Sequence, residues 1–434
     1  MAMGSTKEQS ERIPGIWWFS DDPENTVPGD LLVTDRRLEL NGSFVGTKSG
    51  VIGIGKPGLV HSRQDRTILG VTRKGGKRYT LEYFDEPAFS IATPGYRADT
   101  YTLGRIFEGD HFPGTGNLAF ERYYVEFPYL LEWVNDGVIS IQMTIPNSQV
   151  LMAKDTSFKI EVGGLKTIEV FKGPSFNMSF TIHPEGISLA APVKDMRLSQ
   201  RCIVKIESVG SNLALEDAGS IMAHIERFLT IAIGRSIDPL KYQVSSGSGR
   251  ESRTVTILIP PLSKTRRPKD ISLHEMNFSF ADIKADSQAI FDKWFKDMRK
   301  HAVMFDLFSV IRSDLPKNIN NQFKDIVSAV EGYISVEEGK LDVSPNKALK
   351  ALNEKLPKED RPMVSADYNK IRITRNKLSH LTIRPEDEVY ILNDNDKWLN
   401  LQRMTFLLEY SLLKGLGSSD TMLKQFYEKW KLHL

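Results

Sequence analysis

The hydrophobic period of this chain changes once, near residue 285, and that change limits the fold more than any other feature of the sequence. Before it, apolar residues alternate with polar ones in short runs broken by Gly and Pro, as strands require. After it, they recur every three or four residues over long stretches, as amphipathic helices require. A chain written this way is expected to be α+β. Its β-rich N-terminal body, an antiparallel sandwich or barrel-like structure with an inserted helix, precedes an all-α bundle. The expected boundaries are a disordered tail over 1–14, the β-rich body over 15–284 and the bundle over 285–434. The body has room for two subdomains splitting near 150.

The clearest piece of the body is 66–84. Thr67-Ile68-Leu69-Gly70-Val71 and Tyr79-Thr80-Leu81-Glu82-Tyr83 flank Lys74-Gly75-Gly76-Lys77, whose glycines supply the positive φ of a tight hairpin turn. Ile139, Ile141, Met143 and Ile145 alternate as in a half-buried strand, and 168–171, 178–182 and 203–206 continue the pattern. One helix interrupts it over 218–233, with Ile221, Ile225, Phe228, Leu229 and Ala232 on one face. A last strand over 254–259 stops at Pro260-Pro261, and 263–269 reads as an exposed basic loop. Helical runs then follow over 287–312, 318–334, 346–356, 365–381, 398–416 and 421–432. Ser365 is placed to cap the fourth.

Charge gives no global pull toward nucleic acid: 57 Lys and Arg stand against 55 Asp and Glu, a net charge of +2. Any RNA binding must come from a local patch. The lone Cys202 excludes an intramolecular disulfide and a Cys-rich zinc site, and its apolar run Cys202-Ile203-Val204 reads as a buried strand. No segment approaches the about 18 apolar residues of a membrane span, and 1–12 lacks an apolar signal core. A cytoplasmic protein with no membrane partner is expected.

One helical run carries suggestive chemistry. In Arg372-Ile373-Thr374-Arg375-Asn376-Lys377-Leu378-Ser379-His380, a helical wheel puts Tyr368, Ile371, Leu378 and Leu381 on the core stripe. Arg375 falls on that stripe too, where a charge is costly unless paired or used. Asn376 and His380 are one turn apart on the neighbouring face. Lys370, Arg372, Arg375, Lys377 and Arg384 are basic, and no acid occurs between Tyr368 and Pro385. Phosphate suits such a patch. On spacing alone two readings stand: a catalytic cluster, or a solvated or structurally paired helix face.

Arg375-Asn376-Lys377-Leu378-Ser379-His380 resembles the motif of HEPN ribonucleases, an Arg, a polar residue, three more residues and a His, set on a later helix of a small bundle. Upstream, Val330-Glu331-Gly332-Tyr333 resembles the aliphatic-Glu-x-Tyr end of the family's earlier helix. Downstream, Leu407-Leu408-Glu409-Tyr410-Ser411-Leu412-Leu413 resembles its closing helix, so the likeness covers about 285–434. The body resembles the β-rich domain of ApeA proteins, a HEPN-containing group linked to abortive infection against phage. It does so through Gly15-Ile16-Trp17-Trp18, Leu38-Glu39-Leu40-Asn41-Gly42-Ser43-Phe44, Ile68-Leu69-Gly70-Val71 with Tyr79-Thr80-Leu81, and Tyr129-Leu130-Leu131-Glu132-Trp133.

The resemblance implies a metal-independent RNA endonuclease with no cofactor, cutting by attack of the RNA 2′-hydroxyl to leave 2′,3′-cyclic phosphate and 5′-hydroxyl ends. Arg375, Asn376 and His380 are then the catalytic residues. His380 serves as general base or acid, Arg375 steadies the phosphate and Asn376 orients one or the other. Lys377, Ser379, Lys370, Arg372 and Arg384 are expected to bind substrate. Five residues of helix set Arg375 about 140° from His380, so a homodimer pairing two motifs is expected. Transfer RNA is the substrate that HEPN relatives suggest, and a phage-derived trigger acting through the β-rich body is the expected control.

Two alternatives stand beside this: a non-catalytic bundle that binds RNA or a protein partner, and a carbohydrate- or peptide-binding β module with a dimerising tail. Other signals carry less. Gly53-Ile54-Gly55-Lys56-Pro57-Gly58 matches a dinucleotide fingerprint, but Pro57 opposes the helix that fingerprint opens. Asp394-Asn395-Asp396 lacks the rest of a calcium loop and reads as a helix cap. His61, His111, His183, His224, His274, His301 and His433 lack metal-ligand spacing, with His224 read as packed or exposed. Trp17 and Trp18 read as a strand-end core pair.

Overall fold

The computed structural model describes residues 10–34, 37–42, 44, 66–84, 88–92, 96–144, 157–189, 196–246, 253–260, 271–312, 318–380, 382 and 384–432. In chain order the first strands are β1 (Ser10–Phe19), β2 (Asp22–Thr34), β3 (Leu38–Gly42), β4 (Thr67–Thr72), β5 (Arg78–Tyr83), β6 (Ala88–Ala92), β7 (Tyr96–Glu108), β8 (Ala119–Phe120) and β9 (Arg122–Glu126). A short helix α1 (Leu130–Val134) precedes β10 (Ile139–Thr144), β11 (Ser157–Val162), β12 (Lys166–Lys172), β13 (Phe176–Leu189) and β14 (Met196–Ser208). Then come β15 (Leu213–Ala214), α2 (Leu215–Ile233), β16 (Lys241–Ser246) and β17 (Arg253–Leu258). The remaining helices are α3 (Phe280–Ile283), α4 (Ser287–Asp297), α5 (Ala302–Arg312), α6 (Ile319–Glu338), α7 (Pro345–Asn353), α8 (Ser365–His380), α9 (Asp394–Gly415) and α10 (Asp420–Lys431). A β-barrel-containing body followed by a helical region is thus the architecture, and it is α+β.

These elements form two compact units that do not follow chain order. The first takes residues 1–126, 205–219 and 239–264, the second 127–204, 220–238 and 265–434. In the first unit β7 pairs with β3 along one edge and with β5 along the other. The path β3-β2-β1-β4-β5 joins those edges, so six of the described strands close into an antiparallel barrel. The β4–β5 hairpin turns where the sequence places it: Gly75 and Gly76 have φ of 86° and 61°. The Thr72 hydroxyl donates to the Lys74 carbonyl and accepts the Lys77 N–H at 3.0 Å.

The barrel interior is a packed core. Trp17 is fully buried among Leu31, Leu40, Ile68, Leu81, Leu103 and Ile106, and its indole N–H donates to the Gly29 carbonyl at 3.1 Å. Gly70 pairs with Trp17 across β1 and β4, and a Cβ at Gly70 would overlap the indole ring. The glycine in this strand is therefore a steric requirement. Trp18, on the other face, meets the ring of His111 edge-on at 5.4 Å, and His111 Nε2 lies 2.9 Å from the Gly70 carbonyl.

The second unit joins β12, β13 and the first part of β14 to the C-terminal helices. Its core is aromatic. Trp133 of α1 packs edge-on against Phe180 and Phe228, and Phe228 meets Phe291 and Trp294 of α4 at 4.6 Å and 5.2 Å. The Trp294 indole N–H donates to the His224 carbonyl. Cys202 is buried on β14, as its apolar run required, and burial pushes its thiol up to about 12. The helices start and stop on ordinary caps. Asn318 accepts the Asn320 N–H before α6, Gly339 (φ 63°) ends α6, and Ser419 accepts the Met422 N–H before α10. Among the described residues no helix is long and apolar enough to cross a membrane.

Several sequence expectations need correction. Residues 10–14 of the expected tail lie in β1, paired with β2. The body holds α1 as well as α2. Strand β10 pairs only with β11 among the described strands, and Ile141 on it is 63% exposed, not on the half-buried face expected of it; Ile145 lies outside the described residues. The run 287–312 is two helices, broken by a tighter turn at Met298–His301 that swings His301 inward to Glu337 of α6 at 3.1 Å. The cap of α9 is Asn393, which accepts the Asp396 N–H at 2.9 Å, rather than Asp394-Asn395-Asp396. The Gly53–Gly58 pattern, the 263–269 loop, His61, Leu381 and His433 lie outside the described residues.

Candidate functional site

Helix α8 packs against α6 and α7 in the second unit. Its start is fixed by Asp367, whose carboxylate accepts the Val364 N–H at 3.0 Å. The face it buries differs from the expected stripe. Ile371, Ile373 and Thr374 are buried, whereas Tyr368 and Leu378 are only half-buried. The reason is a polar contact that an apolar wheel does not register. The Thr374 hydroxyl accepts the Leu392 N–H at 3.0 Å and turns that residue inward. Tyr368 is held at its hydroxyl by the Asn353 side-chain amide at 2.7 Å.

Arg375 lies beside this face and is paired. Its guanidinium donates to Glu331 of α6 at 3.3 Å, with side-chain exposures of 28% and 17%. Glu331 has its pKa pushed up by burial and pulled back by Arg375. So two of the three segments on which the expected HEPN resemblance rests, Val330-Glu331-Gly332-Tyr333 and the α8 motif, meet at one ion pair. The amphipathic stripe of α6 (Phe323, Ile326, Val327, Val330 and Ile334, all buried) seats that helix and leaves Glu331 half-buried at its edge.

Asn376 is half-buried and His380 is exposed in the last turn of α8. Among the described residues no hydrogen bond joins Arg375, Asn376 and His380. Arg372 is tied to Asn369 at 2.9 Å on its own helix. Lys377 is half-buried, while Lys370, Ser379 and Arg384 are exposed. The helix therefore carries a cationic, solvent-facing margin with one histidine at its end. That surface can hold a phosphate and can offer an imidazole to it.

Two neighbours of this margin were not picked out as functional from the sequence. Glu331 is the counter-ion that a charge on a core stripe demands, and an acid one helix away was the available signal. The second is the acidic turn Pro385–Tyr390, with Glu386, Asp387 and Glu388, which packs back against α8. Among the described residues no three His, Cys, Asp or Glu side chains gather where they could hold a metal ion.

A closed barrel with a cationic helix in a separate compact unit thus defines a two-unit α+β protein. The family model described as ApeA N-terminal domain 1 matches residues 12–294, more than half of the 434-residue chain. This chain belongs to that family. No curated protein and no solved structure matches it.

Proposed function

We propose that the chain is a HEPN-type endoribonuclease of anti-phage defence, acting by abortive infection through the helical region that follows its ApeA-family body. The observation that carries this reading is the Arg375–Glu331 pair. It holds the motif arginine half-buried while His380, five residues on, stays open to solvent at the helix end. Membership of the ApeA family supports the defence role.

The chemistry follows from RNA itself. The 2′-oxygen forms a bond to phosphorus, the bond from phosphorus to the 5′-oxygen breaks, and the 2′-hydroxyl proton is replaced by one delivered to the leaving 5′-oxygen. His380 moves one of these protons, as base or acid. Arg375 steadies the negative charge of the five-coordinate phosphate. Asn376 orients His380 or holds a phosphate oxygen. Lys370, Arg372, Lys377, Ser379 and Arg384 guide the backbone, and no metal enters the scheme. With Arg375 and His380 about 140° apart around one helix, two copies of α8 in a homodimer complete one site. Transfer RNA is the substrate class, and a phage component is the trigger.

A second reading is favoured by a different observation. Among the described residues no hydrogen bond joins Arg375, Asn376 and His380, which suits a bundle that binds RNA or a protein without cutting. The two are separated by RNA cleavage in EDTA with an activating phage extract, comparing the wild type with His380→Ala. Cleavage by the wild type alone, leaving cyclic phosphate ends, upholds the nuclease. Equal cleavage by a folded His380→Ala variant, or 5′-phosphate ends, overturns it.

A further inference from the structure

Apart from α8, the second unit contains a cavity of about 310 Å³ between α9, α10 and the segments at 233–235 and 275–277. Among the described residues no α8 side chain lines it. Its volume lies at the low end of small-molecule sites, roughly 300–1,000 Å³. One wall is aromatic. Phe406 of α9 and Trp430 of α10 stack face to face at 4.1 Å and 16°, and Phe426 lies 5.3 Å from Phe406. Phe406 and Phe426 are buried, while Trp430 is only half-buried and open to the cavity.

The polar lining is unequal in charge. Arg312 is neutralised: its Nε donates to the buried Glu409 at 2.9 Å, and its Nη2 donates to the same oxygen. Arg235 meets Glu275 loosely at 3.7 Å. Lys429 donates only to the Met276 carbonyl, at 3.3 Å, and forms no ion pair among the described residues. The cavity therefore holds one cation in excess of its carboxylates. Two amides complete the polar side: Gln402, and Asn277, whose side-chain N–H already donates to the Ile231 carbonyl at 2.6 Å.

An indole face, an unneutralised ammonium and the Gln402 amide, able to meet a ring edge, select one ligand chemistry. It is a planar heterocycle carrying an anionic group. We propose that this cavity binds a nucleoside phosphate, the base against Trp430, which is itself backed by Phe406, and the phosphate at Lys429 and Arg235. The volume admits a single nucleotide unit, supplied as a free mononucleotide or as the 5′-phosphorylated end of an RNA strand. The site is separate from α8 and does not rest on the nuclease reading.

The test is calorimetric titration of the full chain with AMP, with adenosine and inorganic phosphate as partial ligands. Saturable binding of AMP is expected, with both partial ligands far weaker. Lys429→Gln, a half-buried surface lysine, should weaken AMP by about tenfold. Trp430→Ala should weaken AMP by about tenfold and remove the indole fluorescence change that AMP causes. Absence of saturable AMP binding, wild-type affinity in Lys429→Gln, or phosphate binding as tightly as AMP each overturns the proposal. A 5′-phosphorylated oligoribonucleotide then distinguishes the sources. Competition with AMP identifies a strand end, and lack of competition a free nucleotide, and either outcome upholds the site.

Discussion

Arg375 of α8 and Glu331 of α6 face each other across 3.3 Å, a cation and a carboxylate each less than a third exposed. Removing one partner strands the other, and an unpaired charge in such a site costs more than the pair gains. Arg375→Ala should destabilise the protein by about 1–3 kcal/mol, and Glu331→Gln in the same chain should recover part of that loss. Arg375→Lys keeps the charge but not the planar fork. It is expected to melt near the wild-type temperature while RNA cleavage falls by roughly 10²–10³-fold. Paired thermal melts and cleavage rates check this, and full activity in Arg375→Lys would show that the guanidinium does not contact the reacting phosphate.

The acidic turn beside α8 should oppose RNA. Glu386, Asp387 and Glu388 sit on a turn that packs against the helix, and the Leu392 N–H bonded to Thr374 pins the chain just after it. Replacing all three acids by their amides is expected to tighten RNA binding by about 3–10-fold at low salt, with the gain fading as salt rises. Filter binding over a salt series reads this directly. An unchanged affinity at low salt would mean that the turn does not sense the α8 surface.

Two neighbours on α2 give opposite responses to pH. Burial, helped by Arg227 and Arg299, lowers His224 from 6.5 to about 4. The unfolded chain therefore binds more protons there between pH 6.5 and 4, and stability from His224 is lost as pH falls through that window. Burial with the repulsion of Asp238 raises Glu226 from 4.5 to about 7, so its contribution is present at low pH and lost as pH rises from 4.5 to 7. In the wild type the contributions of these two groups oppose each other where their windows overlap. His224→Gln should make stability fall with rising pH, and Glu226→Gln should make it fall with acid, each by about 1–3 kcal/mol across its window. Denaturant melts at several pH values test the signs.

Gly70→Ala puts a methyl group where the Trp17 ring already lies. Overpacking of this kind typically costs about 1–3 kcal/mol, and here the obstacle is a fully buried indole fixed by its bond to Gly29. The barrel should lose cooperativity in the near-ultraviolet dichroism of its aromatic residues. Gly70→Ala together with Trp17→Leu should recover part of the loss, whereas no destabilisation in the single variant would mean that the ring moves freely.

What could be read in advance depended on whether the signal was local. The β4–β5 hairpin was legible because Gly75 and Gly76 declare their own turn, and α6 because its apolar stripe fixes its period. The helix ends shifted by a few residues, as the Asn393 cap shows. The sequence left sandwich and barrel both open. Closure depends on β7 pairing with both β3 and β5, strands that are not its neighbours in the chain. At the candidate site, the wheel put Arg375 on the core stripe, whereas it lies beside the buried face and pairs with Glu331; that face follows Thr374 and its bond to Leu392, a hydroxyl contact that hydrophobic periodicity does not weigh. The cavity near Trp430 is assembled from segments up to two hundred residues apart, and only folding brings them together.

The aromatic core of the second unit bears on how such a protein could be switched. Phe291 and Trp294 rest on Phe228, and Phe228 rests on Trp133, so the C-terminal helices share their interior with residues well before the change of hydrophobic period. Cutting the chain near 285 would not set those helices loose. They would stay lodged against the upstream segments or, pulled away, expose a row of bare rings and collapse. An activity of the kind proposed for these helices would then be switched in place, by a shift of packing or of partners, rather than by release of a fragment.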